Sequence, residues 1–188
     1  DIGIPVVYTN VVYHAAGADG GVFFRKAPVL KNFLAGNPMG DWADGLDGVT
    51  IVDPGETLQS EYLYWVGCAG SFDDKNKKVT QAMAGLLRRA GIDVSILGPS
   101  EMCTGDSARR SGNEYLFQML AQPNVEMLNG MGVKKIITQC PHCFNTLGNE
   151  YPQFGGEYEV VHHSELLMHL VSEGRIAPKN GDARTVTF

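Results

Sequence analysis

Short apolar runs alternate with amphipathic stretches along the chain from residue 61 onward. The runs EYLYWVG, DVSILG, KKIITQ and YEVVHH are rich in β-branched or aromatic side chains, and polar residues or glycine bound them, which is typical of buried strands. Between them lie stretches whose apolar residues recur at helical spacing. Strands that alternate with helices predict an α/β fold, a Rossmann-like parallel sheet flanked by helices.

The predicted helices have recognisable ends. Asp73 is positioned to cap a helix that follows the first strand, and Gly91 ends it. The stretch EYLFQMLAQPNVEMLNGMG predicts a helix that Pro123 either kinks or divides, and PSEMCTGDSARRSGN before it predicts a polar loop. FNTLGNE and SELLMHLVSEG predict two further helices. The methionines expected to fill the core between these helices and the sheet are Met83, Met119, Met127 and Met168.

The pattern is different before residue 61. Residues 1–60 are rich in glycine, aspartate and proline, and PVLKNFLAG is the one short helix candidate in them. We therefore expect residues 1–60 to form an irregular N-terminal arm or linker, and residues 61–188 to form the α/β domain.

Composition narrows the functional classes. A length of 188 residues with 44% hydrophobic residues allows one main folding unit with a sizeable core. The formal charge of −6 argues against nucleic-acid binding, which needs a basic surface. No apolar stretch approaches the roughly 18 residues of a spanning helix, and the first residues do not resemble a signal peptide. These features predict a cytoplasmic protein, with membrane association only through the full-length protein or a partner.

The four cysteines carry the chemistry that the sequence predicts. Cys68 is expected to end the first strand and Cys140 the third, whereas Cys103 lies in the loop after the second. Cys143 begins the helix after Cys140, where exposed N–H groups favour thiolates. Ligands of open α/β sheets lie outside the carboxyl ends of the strands. The four thiolates are therefore predicted to converge on one site.

Several kinds of chemistry fit four converging thiolates. They can bind an iron-sulfur cluster or zinc. CPHC alone is also typical of a thioredoxin-like redox pair, and free cysteines are often inert core residues. The glycine-rich surroundings VGCAG and MCTGD favour a bound group, because glycine lets the backbone approach it closely and donate N–H bonds to sulfur.

With these residues the chain resembles the cysteine-rich CCG domains of heterodisulfide-reductase-like iron-sulfur proteins, in which Cys, Cys-Cys-Gly and Cys-x-x-Cys are separated by thirty-odd residues. Cys68 is followed after 34 residues by Cys103, which after 36 more is followed by CPHC. WVGCAGSFDDKNKK and CTGDSARRSGNEYLFQ are similar to the electron-transfer-flavoprotein:quinone-type subgroup. Thr104 stands where the family has its second adjacent cysteine, which leaves four thiolates and favours a conventional [4Fe-4S] cluster over a non-cubane one.

The resemblance implies an iron-sulfur oxidoreductase of which this chain is a domain or fragment, since family members carry two such repeats and a ferredoxin-like segment. Cys68, Cys103, Cys140 and Cys143 would be the ligands. Electrons would pass from a flavoprotein or dithiol donor to a quinone or disulfide acceptor. The implied partners are a flavoprotein or another iron-sulfur subunit, with peripheral contact to a membrane quinone system. The alternative is a structural zinc module without redox chemistry.

Charged and titratable residues near the cysteines are secondary candidates. Histidines near the predicted site could transfer protons or donate hydrogen bonds to it. Two arginines could offset cluster charge or bind an acidic partner, and one aspartate is expected to cap a turn. These residues are His142, His162, His163, Arg109, Arg110 and Asp106.

Overall fold

The computed structural model describes residues 41–43 and 49–178, which contain one five-stranded sheet. The strands are β1 (Thr50–Ile51), β2 (Tyr62–Trp65), β3 (Val94–Ile96), β4 (Lys135–Thr138) and β5 (Glu159–His162). Their order across the sheet is β1-β3-β2-β4-β5, and every neighbouring pair is parallel. The α/β prediction is confirmed. The helix candidate PVLKNFLAG lies outside the described residues.

Six α-helices connect or follow these strands in the described part of the chain. They are α1 (Gly67–Phe72), α2 (Asp74–Arg89), α3 (Asp106–Arg110), α4 (Glu114–Gly130), α5 (Pro141–Asn145) and α6 (His163–Ser172). The chain continues from α5 through a π-helical turn and a 3-10 turn that ends at Phe154. Asp73 caps α2 as predicted, since its side chain accepts hydrogen bonds from the Lys75 and Asn76 N–H groups.

Both faces of the sheet are covered, and this explains the continuous apolar runs of the strands. In β2, Tyr64 points to the face that α2 and α6 cover, while Leu63 and Trp65 point to the face that α4 and the turns after α5 cover. All three side chains are fully buried. Because successive side chains of a strand alternate between faces, a strand in the middle layer must be apolar at nearly every position.

Two local predictions are wrong, and one alternative of a third is excluded. Helix α4 runs through Pro123 without dividing, and Pro123 lies on the exposed side of the helix. The predicted polar loop contains the short helix α3. Met119 and Met168 do not fill the core, since they are 54% and 69% exposed on the outer sides of their helices.

The strand order places a topological switch point at the carboxyl ends of β2 and β4. The chain passes from β2 to β3 on one side, then crosses to β4 and β5 on the other. In such sheets the diverging connections leave a crevice between the two central strands. The segments that follow β2 and β4 carry Cys68 and Cys140. The two segments therefore adjoin this crevice.

The sheet also extends to residues before position 61. Thr50 and Ile51 pair with β3, and the Val52 N–H donates to the Ile96 carbonyl oxygen at 2.9 Å. Val52 is buried in the core. Residues 49–60 thus add an edge strand, while the predicted arm otherwise lies mostly outside the described residues. The division between residues 60 and 61 stays a prediction.

Candidate functional site

The structure places the four cysteines at the carboxyl edge of the sheet. Cys68 is the second residue of α1, so it follows β2 within a helix and does not end the strand as predicted. Cys140 does not end its strand either, since β4 ends at Thr138 and Cys140 is the N-cap residue of α5. Cys103 lies in the loop before α3, and Cys143 is within α5. Cys143 is buried and the other three are half-buried. The site thus combines a closed side with an open one.

The four thiols interact as two pairs. A hydrogen bond between Cys68 and Cys103 raises the pKa of Cys68 and lowers that of Cys103. A second hydrogen bond, between Cys140 and Cys143, lowers the pKa of Cys140 and raises that of Cys143. Cys68 also interacts electrostatically with Cys140, and Cys143 with Cys68 and Cys103. The fold therefore brings together cysteines from three separate segments of the chain, with one thiol in each pair favouring the thiolate.

Zinc and an iron-sulfur cluster place different demands on the spacing of four ligand sulfurs. Among residues 41–43 and 49–178, no three His, Cys, Asp or Glu side chains are grouped so that they could hold one metal ion. Four sulfurs around one zinc each lie about 2.3 Å from it, which requires closely spaced sulfurs. In a cluster each thiolate binds a different iron, so the ligand sulfurs stand farther apart.

Gly67 allows the backbone to approach the Cys143 sulfur closely. Its φ of +77° lies in the left-handed region, and a Cβ at this position would come within 3.1 Å of the Cys143 sulfur. Glycine avoids both the backbone strain and the close contact. The residue just before Cys68 therefore leaves room for the sulfurs and for a group bound between them.

Glu101 joins two of the cysteine-bearing segments, and the sequence-based prediction missed it. Its carboxylate accepts hydrogen bonds from the Val66 N–H at 3.0 Å and the Gly67 N–H at 2.6 Å. The side chain is buried, and burial raises the pKa of Glu101 to about 7 in spite of these two bonds. Glu101 thereby ties the loop of Cys103 to the start of the Cys68 helix. An acidic residue within an otherwise neutral segment, ILGPSEMCTG, was the available signal.

Replacement of this carboxyl should alter the pH dependence of stability in the metal-free protein. Because folding raises the pKa of Glu101 from 4.5 to about 7, its contribution to stability is full below pH 4.5 and is lost as the pH rises through 7. Between pH 5 and pH 8 the loss is on the order of 2 kcal/mol. Urea unfolding at several pH values under reducing conditions should show this decline in unfolding free energy in the wild type but not in Glu101→Gln.

The control for that experiment is Glu61→Gln, which removes an exposed carboxylate paired with Lys135. It should follow the wild-type curve. Equal pH dependence in wild type and Glu101→Gln would contradict the prediction.

A second polar network joins the segments of Cys140 and Cys68 on the opposite side. The Tyr64 hydroxyl donates to Gln139 Oε1 at 2.8 Å, and Gln139 Nε2 donates to the Thr80 hydroxyl at 2.7 Å. Thr80 in turn donates to the Gly70 carbonyl oxygen in α1. Gln139 directly precedes Cys140, so this network positions two cysteine-bearing segments relative to each other.

The other predicted residues have varied surroundings. His142 Nδ1 is 4.0 Å from the Cys140 sulfur, and His142 is exposed. His162 contacts the Phe144 ring, Ser164 and His163 at the end of β5. Burial and the neighbouring His162 lower the pKa of His163. Their roles in proton transfer or hydrogen bonding to a cluster stay predictions.

The arginines predicted to offset cluster charge are paired with carboxylates. Arg109 and Arg110 both form ion pairs with Glu150, and Arg110 also contacts Asp106. Asp106 is the first residue of α3, whose N-cap is Gly105, and it accepts a hydrogen bond from the Thr146 hydroxyl. This cluster attaches α3 to the turns after α5. A direct role toward a bound group or a partner stays a prediction.

Comparison with known proteins agrees with the geometry. Residues 62–148 match the CCG family, described as a cysteine-rich domain. These residues form a CCG domain. It spans the segment from β2 to the π-helical turn after α5, and therefore includes all four cysteines. The resemblance inferred from the cysteine spacing is confirmed.

Curated relatives of the CCG domain are redox proteins. The chain is 50% identical over 139 residues to the EtfAB:quinone oxidoreductase of Syntrophomonas wolfei, covering 73% of this chain and 20% of that protein. It is 46% identical over 133 residues to the probable iron-sulfur-binding oxidoreductase FadF of Bacillus subtilis, covering 71% and 19%. It is 29% identical over 153 residues to one subunit of the dihydromethanophenazine:CoB–CoM heterodisulfide reductase of Methanosarcina mazei, covering 77% and 37%.

The chain thus spans about a fifth of the first two relatives. No solved structure matches the chain. The described residues include no helix long and apolar enough to cross a membrane.

Proposed function

We propose that this chain is an electron-transfer module that holds a [4Fe-4S] cluster through Cys68, Cys103, Cys140 and Cys143. The observation that carries the proposal is the proximity of the three cysteine-bearing segments at the carboxyl edge of the sheet: a Cβ built on Gly67, next to Cys68, would contact Cys143 and Cys140, and Thr104, next to Cys103, lies 3.9 Å from the Cys143 sulfur. Gly67 supports it, because the absence of a side chain there leaves the Cys143 sulfur accessible from the Cys68 side. Four thiolates supply one ligand for each iron of a four-iron cluster.

Thr104 supports the conventional cluster over a non-cubane one. It is buried, and its hydroxyl lies 3.9 Å from the Cys143 sulfur. A cysteine at this position would add a fifth thiolate to the site. Threonine instead offers a weak hydrogen bond to sulfur, which stabilises negative charge on a ligand without binding iron.

The chain's own residues hold the ligands and control access to them. Cys143 is buried, whereas Cys68, Cys103 and Cys140 are half-buried, so a partner's redox centre can approach the open side. When bound, an iron-sulfur cluster supplies one-electron redox chemistry. The Gly105 N–H donates to the Cys103 sulfur at 3.4 Å, which favours the thiolate form of that ligand.

The names of the relatives indicate the donor and acceptor classes. We propose that electrons come from a flavoprotein and pass towards a quinone, as the name of the Syntrophomonas wolfei relative implies. The chain would act in the cytoplasm, as part of an iron-sulfur oxidoreductase that makes peripheral contact with a membrane quinone system. A dithiol donor and a disulfide acceptor form the second version, suggested by the heterodisulfide reductase relative. In the relatives that share its cysteine-rich domain, this chain corresponds to one part of a longer redox protein.

A structural zinc module is the alternative from another class, and neither the described site nor the relatives named above favour it. Iron, sulfide and zinc analysis of anaerobically reconstituted wild-type protein separates the two. About four irons and four sulfides per chain, with broad absorption near ~400 nm, are expected for the electron-transfer module. One zinc per chain and no sulfide, after reconstitution with both iron and zinc present, would make the chain a structural zinc protein.

A further inference from the structure

A buried polar network lies beneath the loop of Cys103. Asn124, in the middle of α4, donates from Nδ2 to the Cys103 carbonyl oxygen at 3.0 Å and to the Tyr151 hydroxyl at 3.0 Å. The Tyr151 hydroxyl donates to the Thr104 carbonyl oxygen at 3.2 Å. Asn124 and Tyr151 are completely buried and Thr104 is 2% exposed. Two successive carbonyl groups of the loop are therefore held from the protein interior.

The orientation of these carbonyls determines where the neighbouring N–H groups point. The described residues contain no cis peptide bond, and in a trans peptide the C=O and N–H groups point in opposite directions. Fixing the Thr104 carbonyl towards Tyr151 therefore turns the Gly105 N–H group away from Tyr151, and fixing the Cys103 carbonyl towards Asn124 turns the Thr104 N–H group away from α4. The Gly105 N–H does reach the Cys103 sulfur, at 3.4 Å.

Gly105 makes this orientation available. Its φ is +87°, and a Cβ there would come within 2.9 Å of the Phe117 ring. Only glycine allows the chain to turn this closely against α4 while its N–H faces sulfur. Contacts with α4 and Tyr151 therefore determine the shape of the loop, and its Gly105 N–H group faces the Cys103 sulfur.

We propose that Asn124 and Tyr151 are positioning residues that set the reduction potential of the cluster by holding the loop so that the Gly105 N–H group donates to the Cys103 sulfur. The inference rests on the proposed function, since it needs a cluster at the four cysteines. Reduction adds negative charge to a cluster, and N–H dipoles aimed at its sulfurs stabilise that charge. A well-oriented N–H donor therefore raises the potential, and its loss lowers it.

The test compares two tyrosine-to-phenylalanine variants of the reconstituted protein. Tyr151→Phe removes the donor to Thr104, while the control Tyr158→Phe removes a hydroxyl that donates to Asn129 Oδ1 at 3.0 Å near the end of α4. In an anaerobic titration with dithionite followed by electron paramagnetic resonance, Tyr151→Phe should shift the midpoint potential to a more negative value. Tyr158→Phe should keep the wild-type potential, and Asn124→Leu should shift it in the same direction as Tyr151→Phe.

A measurement on the wild type alone covers the case in which the variants fail to fold. Protein labelled with [15N]glycine and reduced with dithionite should show a 15N coupling to the paramagnetic cluster, because the Gly105 N–H donates to the Cys103 sulfur. A wild-type protein with no such coupling, or a Tyr151→Phe variant with the same potential as Tyr158→Phe, would overturn this inference and leave the proposed function intact. Failure of the wild type to assemble iron and sulfide would overturn the proposed function, and the inference with it.

Discussion

Cys103→Ala should lose the cluster while keeping the fold. The substitution removes one of four proposed ligands, which leaves one iron of a [4Fe-4S] cluster without a protein thiolate. Alanine is preferable to serine, because a serine oxygen can replace sulfur as a ligand. After anaerobic reconstitution and desalting, we expect the four-iron, four-sulfide content and the absorption near ~400 nm to disappear. The loop itself should persist, since the Cys103 carbonyl still accepts from Asn124.

The matched control is Met102→Ala, which truncates the exposed neighbour of Cys103. It should keep the wild-type iron and sulfide content. Circular dichroism and urea unfolding of the metal-free proteins would show that both variants fold. If Cys103→Ala retained wild-type iron and sulfide, Cys103 would not be a ligand, and the assignment of the cluster to these four cysteines would be wrong.

Gly67→Ala should destabilise the chain and also prevent stable binding of the cluster. The left-handed backbone costs about 1–2 kcal/mol for a residue with a side chain. In addition, the new Cβ would stand 3.1 Å from the Cys143 sulfur, so the sulfur or the start of α1 must move. A change next to metal ligands that displaces them lowers affinity by about tenfold or more. Iron retention during dialysis against a chelator measures this second effect.

Gly112→Ala separates the backbone cost from the contact with sulfur. Gly112 has a φ of +81°, close to that of Gly67, but nothing lies within 4 Å of a Cβ built there. Gly112→Ala should lose about 1–2 kcal/mol of unfolding free energy in the metal-free state, and Gly67→Ala at least as much. Only Gly67→Ala should release iron faster than the wild type. Equal iron retention in the two variants would mean that the space beside Cys143 is not needed for the bound group.

The periodicity of the sequence was sufficient to predict the sheet from β2 onward. Strands such as YLYW and VSI in the middle layer are buried on both faces, and the helices between them are apolar on one face only, so both patterns are local and visible. The N-cap of α2 was equally visible, because Asp73 bonds to residues only two and three positions later. The edge strand β1 was missed because a strand of two residues is too short to show a periodic pattern of apolar side chains.

The exposure of Met119 and Met168 depended on the tertiary structure. Both lie on helices whose opposite sides pack on the sheet, and both point outward. Helical spacing identifies residues on a common side, but a methionine suits core and surface alike, so composition did not reveal which side faces the sheet. The packing of α4 and α6 decided it, through the buried residues Phe117, Leu128, Leu166 and Leu170.

The sequence by itself determined the alternation of strands and helices, the spacing of four cysteines at strand ends and, through that spacing, the CCG family. Only the tertiary structure decided what surrounds those cysteines. Glu101 meets Gly67 across 34 positions, and Tyr151 meets Thr104 across 47. A local sequence pattern cannot predict such contacts, because they follow from the strand order and from the packing of α4 against the sheet. The sequence therefore identifies the candidate ligands, whereas only the tertiary structure identifies the groups that orient them.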